Sequence, residues 1–223
     1  MSPESRFDNA ARLAIAAAAA VLLLLAVLHG LSPEFDPSWR MVSEYATGQH
    51  SWVLSLMFVF WAVSSWALAF AIWPQLKTVA GRIGLAFLIA AGVGEAMAAA
   101  FDITHPLHSV AALIGIPSLA IAAMLISVSL GRTKAWFPAR KLLLWTANLT
   151  WISFVLMAAS FAILIFTYTR AGGDMSAGVI TSLPPGVIAV VGWANRLLVL
   201  AYCAWIMTVA WQAIKLDVHR ARV

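Results

Sequence analysis

The residues of this sequence able to do chemistry crowd into a few short stretches. One reads FDITHPLH, residues 101–108, and spaces Asp102, His105 and His108 as Asp-x-x-His-x-x-His. Helical spacing of i and i+3 puts neighbouring side chains on one side. Three such groups can ligate a zinc ion and leave a fourth position open for water, the arrangement of a metal-dependent hydrolase. Pro106 interrupts the pattern and marks the start of a new helix. On that reading Asp102 caps the helix and the two histidines sit in headgroup water; the metal reading and the capping reading both stand on the sequence. Seven residues earlier lies Glu95, in an otherwise apolar and small-residue run. One heptad on a continuous helix would align Glu95 and Asp102 as an acidic stripe about 10 Å long. Arg196, in GWANR (residues 192–196), supplies the opposite charge inside another apolar run. An ionised group within hydrocarbon is costly alone, so Arg196 is expected to pair with Asp102, the level match, or with Glu95. Its bidentate fork could equally hold the anionic group of a ligand.

Other chemistries find less support. A single cysteine, Cys203, precludes an internal disulfide and a thiolate metal cluster. His29 and His108 are conceivable axial ligands of a haem, but both lie near the rim of their helices, where a bis-histidine haem is disfavoured. Ser64, Ser65, Asn148 and Thr150 are accounted for by hydrogen bonds between helices. No phosphate loop, dinucleotide fingerprint or nucleophile elbow occurs.

The elements that must position these groups are set by hydropathy. Hydrophobic residues make up 63% of the 223-residue chain and charged ones 10%. Too few polar groups remain to cover a water-facing globule, and bilayer is the solvent that suits such a surface. Six segments are long enough to cross it, approximately 13–31, 52–73, 83–101, 109–130, 142–168 and 187–214. The first is too long for a secretory signal and lacks a small-x-small cleavage site, so it is read as a retained helix. The expectation is an all-α, polytopic membrane protein: one transmembrane domain over residues 1–223, folded as a six-helix bundle.

Charge orients it. Of 14 Lys and Arg residues, 11 (Arg6, Arg12, Lys77, Arg82, Arg132, Lys134, Arg140, Lys141, Lys215, Arg220 and Arg222) fall at the end of the bundle that carries both termini. Basic residues resist translocation, which places both termini in the cytoplasm of a multi-pass cell-membrane protein. The net charge of +5 thus reflects topology, and nucleic acid is not an expected partner. The first outer loop, residues 32–50, carries Trp39, Met41, Val42 and Tyr45 between prolines and the second helix. That is too apolar for a free linker, and a cap folded back over the bundle is expected.

The stretches VSEYATG (residues 42–48), FDITHPLHSVAALIG (residues 101–115) and GWANRLLVLAYCAWIMTVAW (residues 192–211) resemble, in order and spacing, the bacterial and archaeal membrane proteins gathered as domain of unknown function 998. The resemblance covers roughly residues 10–215. It implies the six-helix fold and an outer-face cluster of Ser43 and Glu44, Asp102 and His108, and Arg196. Asn195 stands where that family has an acid before the arginine. The family is distantly similar in turn to the Frag1/DRAM/Sfk1 membrane proteins, some associated with lipid remodelling.

Together these readings place a polar cluster of Glu44, Glu95, Asp102, His105, His108 and Arg196 under the outer cap. The leading expectation is that the cluster binds membrane lipid or another amphipathic ligand. The competing ones are a metal-dependent intramembrane hydrolase on Asp102, His105 and His108, and a structural subunit of a homo-oligomer or larger membrane complex.

Overall fold

A computed structural model describes residues 3–174, 180 and 182–220. Six α-helices dominate it: α1 Pro3–Leu31, α2 Ser51–Ile72, α3 Val79–Ala100, α4 Pro106–Gly131, α5 Arg140–Arg170 and α6 Val191–Arg220. Short 3-10 turns occupy Val42–Thr47, Trp73–Gln75 and Phe137–Ala139, and no strand is present among the described residues. All six α-helices contain windows long and apolar enough to cross a membrane, as the hydropathy pattern requires.

Helix ends depart from the apolar segments wherever local chemistry extends the coil. At the first helix the Arg12 guanidinium meets Asp8 at 2.8 Å, an i,i+4 pair that suits the polar turns before residue 13 to a helix. The third helix starts at Val79, where the Thr78 side chain accepts from the Gly81 amide at 3.0 Å. Its other end stops at Ala100, two residues short of Asp102. Pro106 opens the fourth helix, and the cap before it is His105, whose Nδ1 accepts from the Leu107 amide. The expected capping role thus falls to His105, while Asp102 organises the preceding turn by accepting from Thr104.

Neighbours in sequence are neighbours in space. Each helix packs on the next, and α6 returns to α1, closing a ring that puts α3 across from α6. The tightest seam joins α3 to α4. A Cβ at Gly94 would sit 2.5 Å from the Gly115 amide nitrogen and 2.7 Å from the Ala111 carbonyl oxygen, so the two backbones touch there. A Cβ at Gly115 would meet nothing nearer than 3.6 Å. The α4 helix also runs unbroken through Pro117. Large apolar residues such as Leu23, Phe70, Leu113 and Phe166 are left exposed on the outside of the ring, the surface a bilayer would cover.

The seam gives an asymmetric prediction. Gly94→Ala should lower stability by about 1–3 kcal/mol through overpacking, whereas Gly115→Ala should be neutral or slightly stabilising, since it only relieves a glycine's entropy cost. Thermal unfolding of both variants in detergent measures the difference.

Candidate functional site

The polar groups gather at the end of the bundle where α1 ends and α2 and α6 begin. Segment 32–50 lies there as a cap, with Phe35, Val42 and Tyr45 buried beneath it. The first turn of α6 holds it down. The Gly192 amide donates to the Ser38 carbonyl at 3.1 Å, and the Val42 amide donates to Asn195 Oδ1 at 2.8 Å. The glycine is needed for the approach: a Cβ at Gly192 would overlap the Pro37 carbonyl oxygen and crowd that of Arg40.

Arg196 completes the clamp and is only 4% exposed. Its Nε donates to His29 Nε2 at 2.7 Å. One Nη donates to the Arg40 carbonyl at 2.7 Å and to the Gly192 carbonyl at 2.9 Å; the other donates to the Tyr45 hydroxyl at 3.1 Å. His29 is prepared for this role. Its Nδ1 lies 2.7 Å from the Leu25 carbonyl, which can only accept, so Nδ1 carries the proton and Nε2 presents a lone pair to the guanidinium.

Arg40 forms a second, linked layer. It is buried with Glu44, Nε to Oε2 at 2.6 Å, a close ion pair whose N–H is not aligned for a hydrogen bond. One Nη donates to the Ile180 carbonyl at 2.7 Å, and the guanidinium lies over the rings of Phe35 and Trp39. The Met41 amide donates to the other Glu44 oxygen at 2.9 Å. Burial raises the Glu44 pKa above the ordinary glutamate value and outweighs the Met41 amide, Arg40 and Arg196, all of which draw it down.

This geometry corrects the expected ion pair. Arg196 bonds neither Asp102 nor Glu95; its acceptors are a neutral imidazole, two backbone carbonyls and a phenol. Glu95 is buried between α2 and α3 and accepts from the Ser65 hydroxyl at 2.8 Å. Asp102 lies beyond the end of α3, exposed, and accepts from both the Thr104 hydroxyl and its amide. Those two bonds hold its carboxyl below the ordinary aspartate pKa. With α3 ending at Ala100, the continuous acidic stripe does not form.

The expected metal ligands also go separate ways. His105 caps α4 and stacks on Phe101, and His108 Nδ1 bonds the Phe101 carbonyl at 2.9 Å. Among the described residues no three His, Cys, Asp or Glu side chains converge as a metal site would require. What Asp102 and His108 do share is a cavity. It is a partly open pocket of about 150 Å³ at the capped end between α2, the end of α3 and the start of α4, and Ser43 and Ala46 of the cap contribute to its wall. Its polar lining is Ser43, Ser51, Ser55, Asp102 and His108; the rest is Leu54 and alanines. Of the expected cluster, then, Asp102 and His108 meet at the cavity and Glu44 and Arg196 meet in the clamp, while Glu95 and His105 stand in neither.

Four residues of the clamp, His29, Arg40, Tyr45 and Asn195, were not among the expected site residues. A signal for the clamp exists in the sequence. Gly192, Asn195 and Arg196 recur at i, i+3 and i+4, so a close-approach residue, an amide and a guanidinium share one helix face at an apolar helix start. Turning to known proteins, the family described as "Protein of unknown function (DUF998)" matches residues 14–212. No curated protein and no solved structure matches the chain.

A double-mutant cycle separates the clamp from the expected pair. Arg196→Ala should lower the melting temperature clearly. Its loss should overlap that of His29→Ala by about 1.5–3 kcal/mol, the worth of a hydrogen bond to a charged group. Arg196→Ala and Asp102→Ala should add.

Proposed function

The chain belongs to the DUF998 family of proteins of unknown function, and from its cavity we propose that it recognises the polar head of a lipid or similar amphiphile at the outer face of the membrane. The cavity carries the reading. It is a small pocket with hydroxyls, a carboxylate and an imidazole in its wall, at the ends of apolar helices long enough to cross a membrane. Beside it the helices turn apolar side chains outward: Trp52 and Leu56 on α2, Leu107, Val110 and Leu113 on α4. A molecule whose head enters the chamber can lay its tail along these groups, so both of its parts find a matching solvent. The volume admits a group of a few heavy atoms.

The sign of the site differs from the one expected of Arg196. That guanidinium is engaged with the cap, and among the described residues neither Lys nor Arg lines the cavity. The lone carboxylate Asp102 favours an uncharged or cationic ligand part over an anion. The outward orientation of the capped end rests on the basic residues gathered at the opposite end, Lys77, Arg82, Arg132, Lys134, Arg140 and Lys141 among them, which favour the cytoplasm.

One substitution tests orientation, access and occupancy together. Cys203 is buried, so Ser55→Cys introduces the accessible thiol. A membrane-impermeant maleimide should label it in intact cells, and mass spectrometry of the purified protein should show an amphiphile on the unlabelled chain that is lost from the labelled one. Labelling only after the membrane is opened would refute the orientation. An identical lipid complement on both forms would refute the binding reading.

A further inference from the structure

Resting on that reading, we propose that the cavity selects a primary ammonium group, the head of an aminophospholipid such as phosphatidylethanolamine or a free alkylamine. The lining is rich in acceptors, with the serine hydroxyls able to donate as well. Among the described residues Asp102 is its only carboxylate, and it offers acceptors alone. In the neutral ring His108 Nδ1 donates to the Phe101 carbonyl, which leaves Nε2 as a lone pair. Ser43, Ser51 and Ser55 add three hydroxyl oxygens from two different elements, the cap and α2. An –NH₃⁺ group brings three donors and no acceptor, the complement of such a wall.

Competing heads fit less well. A phosphate or carboxylate would meet Asp102 with no Lys or Arg to offset it. A quaternary ammonium has no N–H to donate and is bound in protein sites by aromatic faces; among the described residues no Phe, Tyr or Trp lines this cavity. A polyol could use the serines but offers Asp102 no charge-assisted partner. Asp102 is suited to stay ionised, since the Thr104 hydroxyl and amide both donate to it.

The test uses the full chain in nanodiscs made from equal parts phosphatidylethanolamine, phosphatidylcholine and phosphatidylglycerol with the same acyl chains. After transfer to detergent, the retained lipid is read by native mass spectrometry. Phosphatidylethanolamine should be retained roughly tenfold over each of the others, the size of one charge-assisted hydrogen bond. Asp102→Asn keeps an oxygen for the Thr104 bonds and should bring the preference to within about twofold. Retention of phosphatidylcholine or phosphatidylglycerol at equal levels would overturn the ammonium assignment and leave lipid recognition standing. Retention of none would overturn both, unless millimolar ethanolamine raises the melting temperature of the lipid-free protein in an Asp102-dependent way. That last result would keep the ammonium site and assign it to a free amine.

Discussion

A guanidinium cut off from water must find acceptors for its N–H groups inside the protein, and Arg196 finds them on two distant parts of the chain and on its own helix. Four hydrogen bonds reach His29 at the end of α1, Arg40 and Tyr45 in the cap, and Gly192 on its own helix. Each partner is itself fixed: His29 by the Leu25 carbonyl, Tyr45 by packing against Phe35, and the cap backbone by Asn195 and the Gly192 amide. Removing the arginine would leave several buried acceptors without donors at once, so the network stands or falls together.

The cavity inherits its shape from this clamp. No residue of α6 lines it, yet its wall includes Ser43 and Ala46, which lie in the cap segment that α6 holds in place. Arg196 thus acts on the chamber through the backbone of residues 38–45. The division of labour follows from charge. Cations buried beside Glu44 build the cap, and the carboxylate of Asp102 stands separately at the chamber.

Much of this was legible in the residues. Six apolar runs and their charge asymmetry specify a six-helix membrane bundle, because nothing else covers so much apolar surface. The burial of Arg196 and Glu95 was legible for the same reason, and the apolar loop 32–50 announced a cap. The partner of Arg196 was not. Two of its acceptors are backbone carbonyls, which every residue carries and no sequence pattern marks. Depth counted along helices made Asp102 the level match, but depth says nothing about position around the ring, and α3 lies across from α6. The alignment of Asp102 with Glu95 assumed a helix that in fact ends at Ala100. The pairing of Asp102 and His108 at one cavity depends on a turn whose geometry comes from Thr104 and His105 together.

Amide hydrogen exchange in nanodiscs tests the clamp most directly. The Val42 and Gly192 amides, bonded to Asn195 and to the Ser38 carbonyl, should exchange as slowly as amides in the middle of α2. In Arg196→Gln both should exchange markedly faster while the middle of α2 and α3 stays protected. Fast exchange of Val42 and Gly192 in the wild-type chain, or protection unchanged by the substitution, would contradict the account.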